Sequence, residues 1–214
     1  MTDLAWVLLG AATAFAIGNW IAVEVESERT RALEWVCKPL TLLSLIGVAL
    51  ALDPQDDTVR IWFVVALVFS LAGDVFLMLP KEQFQLGVAS FAIAHLAYAA
   101  GFVADGLEPL GLVAGLALVG MGVFTLGRPI VAAVKEQSPE DVTPIKAYLV
   151  IISIMVVTAV GSGNPVAIAG AWLFYVSDAT IAWSRFITPF PHHHLAIMTT
   201  YHLGQGLLVL SLVG

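Results

Sequence analysis

The chain has 214 residues, of which 59% are hydrophobic and 12% charged, with a formal net charge of −7. Soluble domains carry about 25% charged residues, and no core of this length hides so much apolar surface from water, so a mean hydropathy of +0.93 excludes the soluble classes. The net charge is not spread over a surface and does not read as an acidic partner-binding face, and no nucleic-acid partner is expected. What remains is an all-α membrane protein, because lipid offers backbone groups no partner outside the segment itself.

A span needs about 17 to 25 predominantly apolar residues, and in chain order eight such runs are predicted: 4–23, 36–52, 61–79, 84–104, 109–127, 144–161, 164–184 and 193–213. The first lacks a basic leading region and a clear small-residue cleavage site, so it is expected to be a retained span. Connections carry the punctuation, and "RPIVAAVKEQSPEDVTP" between spans five and six is the longest and most polar. None has room for a soluble domain, so residues 1–214 are expected to form a single membrane domain. The single Cys37 rules out an internal disulfide and reads as a small buried hydrophobe.

Charge asymmetry sets an expected orientation. The first, third, fifth and seventh connections hold Arg29, Arg31, Lys38, Lys81, Arg128, Lys135, Lys146 and Arg185, whereas the opposite side holds only Arg60. The positive-inside rule then places both termini on the non-cytoplasmic face of a bacterial-type inner membrane.

Unusual residues recur in order along the two halves. Lys38 in "CKPLTLLS" is matched by Lys146 in "PIKAYLVIIS", Asp74 in "LAGDVFLMLPK" by Asp178 in "YVSDATIAWSR", and His95 in "AHLAY" by His202 in "YHLGQ", at offsets of 108, 104 and 107. With four spans per half, such a pattern predicts a 4+4 parallel tandem repeat. Each aspartate also precedes a basic boundary residue by seven positions, Lys81 and Arg185. That puts both roughly 10 Å above the cytoplasmic boundary. The other fourteen acidic residues lie in connections or at span ends.

A carboxylate in mid-span costs about 2.5–3.5 kcal/mol on insertion scales, so two at one depth need a partner or a task. One reading has each glued to a snorkelling Lys or Arg. The other has the two facing one another across a wet cavity and sharing a proton, stored where lipid can reach it. His95 with Tyr98, and Tyr201 with His202 and Gln205, fall on common helix faces in spans four and eight. They serve either as interhelical hydrogen bonds or as the polar lining of that cavity. Lys38 and Lys146 either snorkel or collect a phosphate headgroup. Trp35, Trp62 and Trp183 fit interfacial belts. No spacing of metal ligands, nucleophile elbow or phosphate loop is present, so neither metal nor cofactor is expected. "HHH" at 192–194 reads as a wet interfacial loop.

The ordered set "KP" at 38–39, "GDVFLM" at 73–78, "FAIAHLAY" at 91–98, "YLVIIS" at 148–153, "GAWLFYVSDATIA" at 170–182 and "YHLGQGLL" at 201–208 resembles the YhhN-type lysoplasmalogenase family, from span two to span eight. The resemblance implies an eight-span hydrolase that cleaves the vinyl ether of a lysoplasmalogen to a fatty aldehyde and glycerophosphoethanolamine or glycerophosphocholine. Asp74 and Asp178 match the family's acidic positions and would be its catalytic pair, one protonating carbon and the other stabilising the cation or orienting water. Lys38, His95, Tyr98, Lys146, Tyr201, His202 and Gln205 would bind substrate, with Lys81 and Arg185 as further phosphate anchors. The expected partners are a lysophospholipid and membrane lipid, with no obligate protein partner. A proton-coupled carrier of a lipid or small amphiphile is the alternative. An intramembrane aspartyl protease is disfavoured, because Leu71 stands where its glycine motif needs Gly.

Overall fold

The computed structural model describes residues 1–25, 27–54, 56–79 and 83–213. Lys81 and the side chain of Arg29, both counted in the charge asymmetry, lie outside the described residues. Each apolar run forms a helix: α1 (Asp3–Val25), α2 (Glu28–Ala51), α3 (Asp57–Met78), α4 (Phe84–Asp105), α5 (Pro109–Gly122), α6 (Arg128–Gln137), α7 (Val142–Gly161), α8 (Pro165–Phe186) and α9 (His193–Leu210). No strand occurs among the described residues. Eight helical segments are long and apolar enough to cross a membrane.

Polar residues at the ends start these helices on time. Ser27 and Thr30 form a reciprocal capping box on α2. The Asp56 side chain accepts from the Thr58 amide, which holds its carboxyl below the ordinary carboxylate range. Asn164 accepts from the amides of Val166 and Ala167, with Pro165 at the first position of α8.

Span five departs from expectation. The sequence reading ended it at residue 127 and made "RPIVAAVKEQ" a connection, whereas the helix runs on as one segment, Pro109–Gln137. A π-helical turn, Val123–Gly127, joins α5 to α6, and the Arg128 amide reaches back to the Val123 carbonyl. That wider turn falls just before Pro129, which has no amide to donate and crowds the preceding carbonyls. Beyond it α6 is amphipathic. Ile130 and Val134, four residues apart, are buried, and the Gln137 amide donates to the Phe186 carbonyl at the end of α8.

The helices pack as neighbours in sequence, α1 on α2, α3 on α4, α5 on α7 and α8 on α9. Contacts of α4 with α7, and of α9 with α1, α2 and α3, close the bundle. α8 and α9 approach most closely at Gly170 and Gly204. A Cβ on Gly170 would stand 2.9 Å from the Gly204 carbonyl oxygen, and one on Gly204 would stand 3.0 Å from the Gly170 oxygen. This contact sets the register between Asp178, about two turns along α8, and Tyr201, one turn back on α9.

Candidate active site

Asp74 lies on the buried face of α3, one turn after Ser70, and its side chain is 1% exposed. Its Oδ1 is 3.1 Å from Lys38 Nζ on α2, and its Oδ2 accepts from the Tyr201 hydroxyl on α9 at 2.7 Å. Lys38 does not snorkel; its side chain is 7% exposed and turned into the bundle. Gly73 makes room for this arrangement, since a Cβ there would come within 2.7 Å of the Phe91 ring.

Asp178 has a different set. His95 Nε2 on α4 lies 3.1 Å from its Oδ2, and the Tyr148 hydroxyl on α7 donates to the same oxygen. His95 Nε2 is also 2.8 Å from the Tyr148 hydroxyl, so the three groups form a closed triangle of polar contacts. His95 Nδ1 rests on Met155 Sδ at 3.3 Å, and the ring is fully buried. The neighbouring Ser177 hydroxyl donates to the Ile197 carbonyl and ties α8 to α9 beside the carboxylate.

Among the described residues no hydrogen bond joins one carboxylate to the other. Each has its own donors, Lys38 and Tyr201 for Asp74, and His95 and Tyr148 for Asp178. Aromatic rings fill the space between the clusters. Phe174 stands edge-on to His95 at 4.7 Å and to Tyr201 at 5.2 Å, and Phe91 packs on both Phe174 and Tyr201. Tyr98 and Gln205, fully buried, hydrogen bond to each other behind this layer. Access differs too. An apolar cleft counts Asp178 and Tyr148 among its lining residues. A more polar vestibule is lined in part by Lys38.

The YhhN family model matches residues 33–212, which include every member of both clusters. This protein belongs to the YhhN family. Among relatives, the human protein named lysoplasmalogenase TMEM86B is 35% identical over 182 residues, 84% of this chain and 76% of its own length. The bovine protein named lysoplasmalogenase TMEM86A is 34% identical, over 83% of this chain and 76% of its own. The YhhN membrane protein of Escherichia coli O157:H7 is 26% identical across 96% and 99% of the two chains. No solved structure matches. Membership and the eight apolar helices make this a multi-pass membrane protein.

Within this YhhN-family bundle the residues singled out by sequence fall into three groups. Asp74, Lys38 and Tyr201 meet, and so do Asp178 and His95, while Tyr98 and Gln205 form the pair behind them. Lys146 is exposed on α7 and is not brought to either carboxylate. Its place is taken by Tyr148, two residues on and therefore on another face of the helix. His202 is buried beside the Asp74 cluster, where its Nδ1 accepts from Trp20 Nε1 on α1 at 3.1 Å. Sequence reasoning gave Tyr148 and Trp20 no role. A lone tyrosine early in the otherwise apolar "YLVIISIMVV" is the signal that marks Tyr148.

Proposed function

We propose that this protein hydrolyses the vinyl ether bond of lysoplasmalogens, releasing a fatty aldehyde and glycerophosphoethanolamine or glycerophosphocholine. The observation that carries the reading is Asp178, a carboxyl held with His95 and Tyr148 in the lining of an apolar cleft, in a chain 35% identical to a named lysoplasmalogenase.

A vinyl ether needs acid at carbon rather than a nucleophilic serine. A carboxyl proton passes to the β-carbon, and the double-bond electrons form the new C–H bond. The positive charge is then shared between the α-carbon and the ether oxygen as an oxocarbenium ion. A carboxylate in a low-dielectric site stabilises that cation. Water adds to the cationic carbon and gives up its proton to a carboxylate. The resulting hemiacetal collapses to aldehyde as the glycerol oxygen leaves and takes up a proton. One water is consumed and the acid is regenerated.

The donors recur by span. Lys38 and Tyr148 come from the second and sixth, Tyr201 and His95 from the eighth and fourth, and this pattern supports the parallel 4+4 repeat. With the basic connections on the cytoplasmic side of a cell membrane, both termini lie on the other side and the carboxylates sit in the cytoplasmic half.

The test is aldehyde release from a defined lysoplasmalogen by purified protein in detergent. Wild type should release aldehyde, and Asp178→Asn and Asp74→Asn should each lose about 10²–10⁴-fold in turnover. In D2O the aldehyde should carry one deuterium on the carbon next to its carbonyl, the mark of protonation at the β-carbon. Folded wild-type protein that releases no aldehyde would refute the reading and turn attention to transport.

A further inference from the structure

The two openings that flank the carboxylates share a wall. Leu77 and Ile181 line both the apolar cleft and the polar vestibule. Each stands three residues after an aspartate, Asp74 on α3 and Asp178 on α8, so each covers the same helix face as its carboxyl. The clefts therefore adjoin across one layer of side chains, at the depth of the carboxylates.

Their chemistry differs sharply. The cleft is walled by residues such as Phe91, Leu126, Ile145, Leu149 and Ile152, and among its described lining residues Asp178 is the one carboxyl. Tyr175 lines it too, one turn before Asp178, and its buried hydroxyl has no hydrogen-bond partner among the described residues. The vestibule instead gathers Arg31, Lys38, Arg185, His193 and His194, with Glu34 the one acid among its described lining residues. The Ser184 hydroxyl there is likewise unpartnered among the described residues. One chamber is built for an alkyl chain. The other suits a phosphate with a cationic group attached, the phosphate on the bases and the cation on Glu34.

We infer that the two clefts form one bipartite lysophospholipid site, tail in the apolar cleft and phosphate head in the basic vestibule, with the ether bond at the Leu77–Ile181 partition and Asp178 as the acid that reaches the tail. The last clause rests on the vinyl-ether reading above; the binding assignment does not. In a substrate laid this way the β-carbon belongs to the tail side of the scissile bond, and the departing oxygen to the head side. Proton delivery must come from the tail side, where Asp178 stands. Exposure agrees, since the Asp178 side chain is 12% exposed and that of Asp74 is 1%. Asp74 is covered by Lys38 and Tyr201, so it holds the Lys38 ammonium at the head of the partition. His95 and Tyr148 hold the Asp178 carboxyl in place through the hydrogen bonds that close their triangle, and the attacking water returns the proton to it. The Tyr175 hydroxyl stands beside Asp178 to orient the ether oxygen or the water that attacks.

The experiment uses two saturated 1-O-alkyl lysophosphoethanolamines, which cannot be hydrolysed as vinyl ethers. One carries a diazirine at the tail end and the other at the head. Purified full-length protein in nanodiscs is irradiated with each, and the adducts are mapped by mass spectrometry. The tail probe should label peptides containing residues 126–131 and 145–152, and the head probe those containing 31–38 and 184–194. Both signals should fall about tenfold when unlabelled ether stands at about ten times its dissociation constant. Labelling of the same peptides by both probes, or labelling that the competitor leaves unchanged, would overturn the bipartite site. Aldehyde release with misplaced labels would sink this site and leave the hydrolase reading standing. Correct labels without turnover of any vinyl ether would sink the hydrolase reading and the acid role of Asp178, and leave the lipid site standing.

Discussion

Lys38 and Asp74 form a buried ion pair, and removing one partner should cost far more than removing both. Their charged atoms are 3.1 Å apart, with side chains 7% and 1% exposed. At an effective dielectric constant of about 20 their attraction is about 5 kcal/mol, and taking two ions out of water costs several kcal/mol each. The pair is therefore close to break-even against apolar side chains of the same shape. Lys38→Met leaves Asp74 with the Tyr201 hydroxyl as its one donor among the described residues and should destabilise the fold by about 3–5 kcal/mol. Lys38→Met combined with Asp74→Leu removes both charges and leaves the Tyr201 hydroxyl without its acceptor, a cost of about 1–3 kcal/mol. The double variant should thus be more stable than Lys38→Met alone. Unfolding in mixed micelles titrated with a denaturing detergent measures all four corners of the cycle. A double variant whose loss equals the sum of the two single losses would refute the argument, because the charges would then not depend on one another.

Tyr148→Phe removes a donor to Asp178 while His95 remains, and should lower the turnover number about 10- to 100-fold with little change in KM, in line with about 1.5–3 kcal/mol for a hydrogen bond to a charged group; unchanged turnover would make Tyr148 a packing residue only. Gly204→Val places side-chain atoms where a Cβ already stands 3.0 Å from the Gly170 oxygen and 3.1 Å from the Phe174 amide, and should cost about 1–3 kcal/mol by overpacking, read as a lower unfolding midpoint. Asp56 caps α3 with a carboxyl held below its usual range by the Thr58 amide. A depressed folded value means that its contribution is fully present above the ordinary carboxylate value of 3.8 and fades as pH falls through the lower folded value. Asp56→Asn should flatten that acid-side slope of stability and leave neutral pH almost unchanged.

What was legible in the sequence was what scarcity and length mark. Eight apolar runs have no other use in a chain of this composition, and two mid-span acids stand out against so little charge. Span five was misread at its end because Arg128, Pro129, Lys135 and Glu136 look like a loop, although Ile130 and Val134 are spaced for one helix face. Lys146 was chosen as the match of Lys38 by residue type. The position that reaches the second carboxylate is Tyr148, and only the rotation of α7 in the bundle decides between residues two apart. The expectation of carboxylates facing one another failed to foresee Phe91 and Phe174. These phenylalanines read as ordinary core until the packing of α4 on α7, and of α8 on α9, brings them between the clusters.

The same aromatic filling bears on the choice between hydrolase and carrier. On the side of the bundle away from the basic connections, a cleft near Asp56 and Asn164 is lined in part by Phe63 and Phe102. Phe63 packs edge-on against Phe102 at 5.3 Å and against Tyr98 at 5.0 Å, and all three rings are buried. Tyr98 in turn hydrogen bonds to Gln205, one turn along α9 from Tyr201. This layer stands between the far-side cleft and the carboxylates. A carrier has to open its site to both faces in turn. An enzyme whose lipid and water arrive from one face has no such need, and it benefits from a closed far side. A mid-membrane carboxyl that traded protons with water on both faces would conduct them down any proton gradient. A buried aromatic layer between an acid and the far face opposes such a leak, and a hydrolase protonating a lipid at this depth benefits from one.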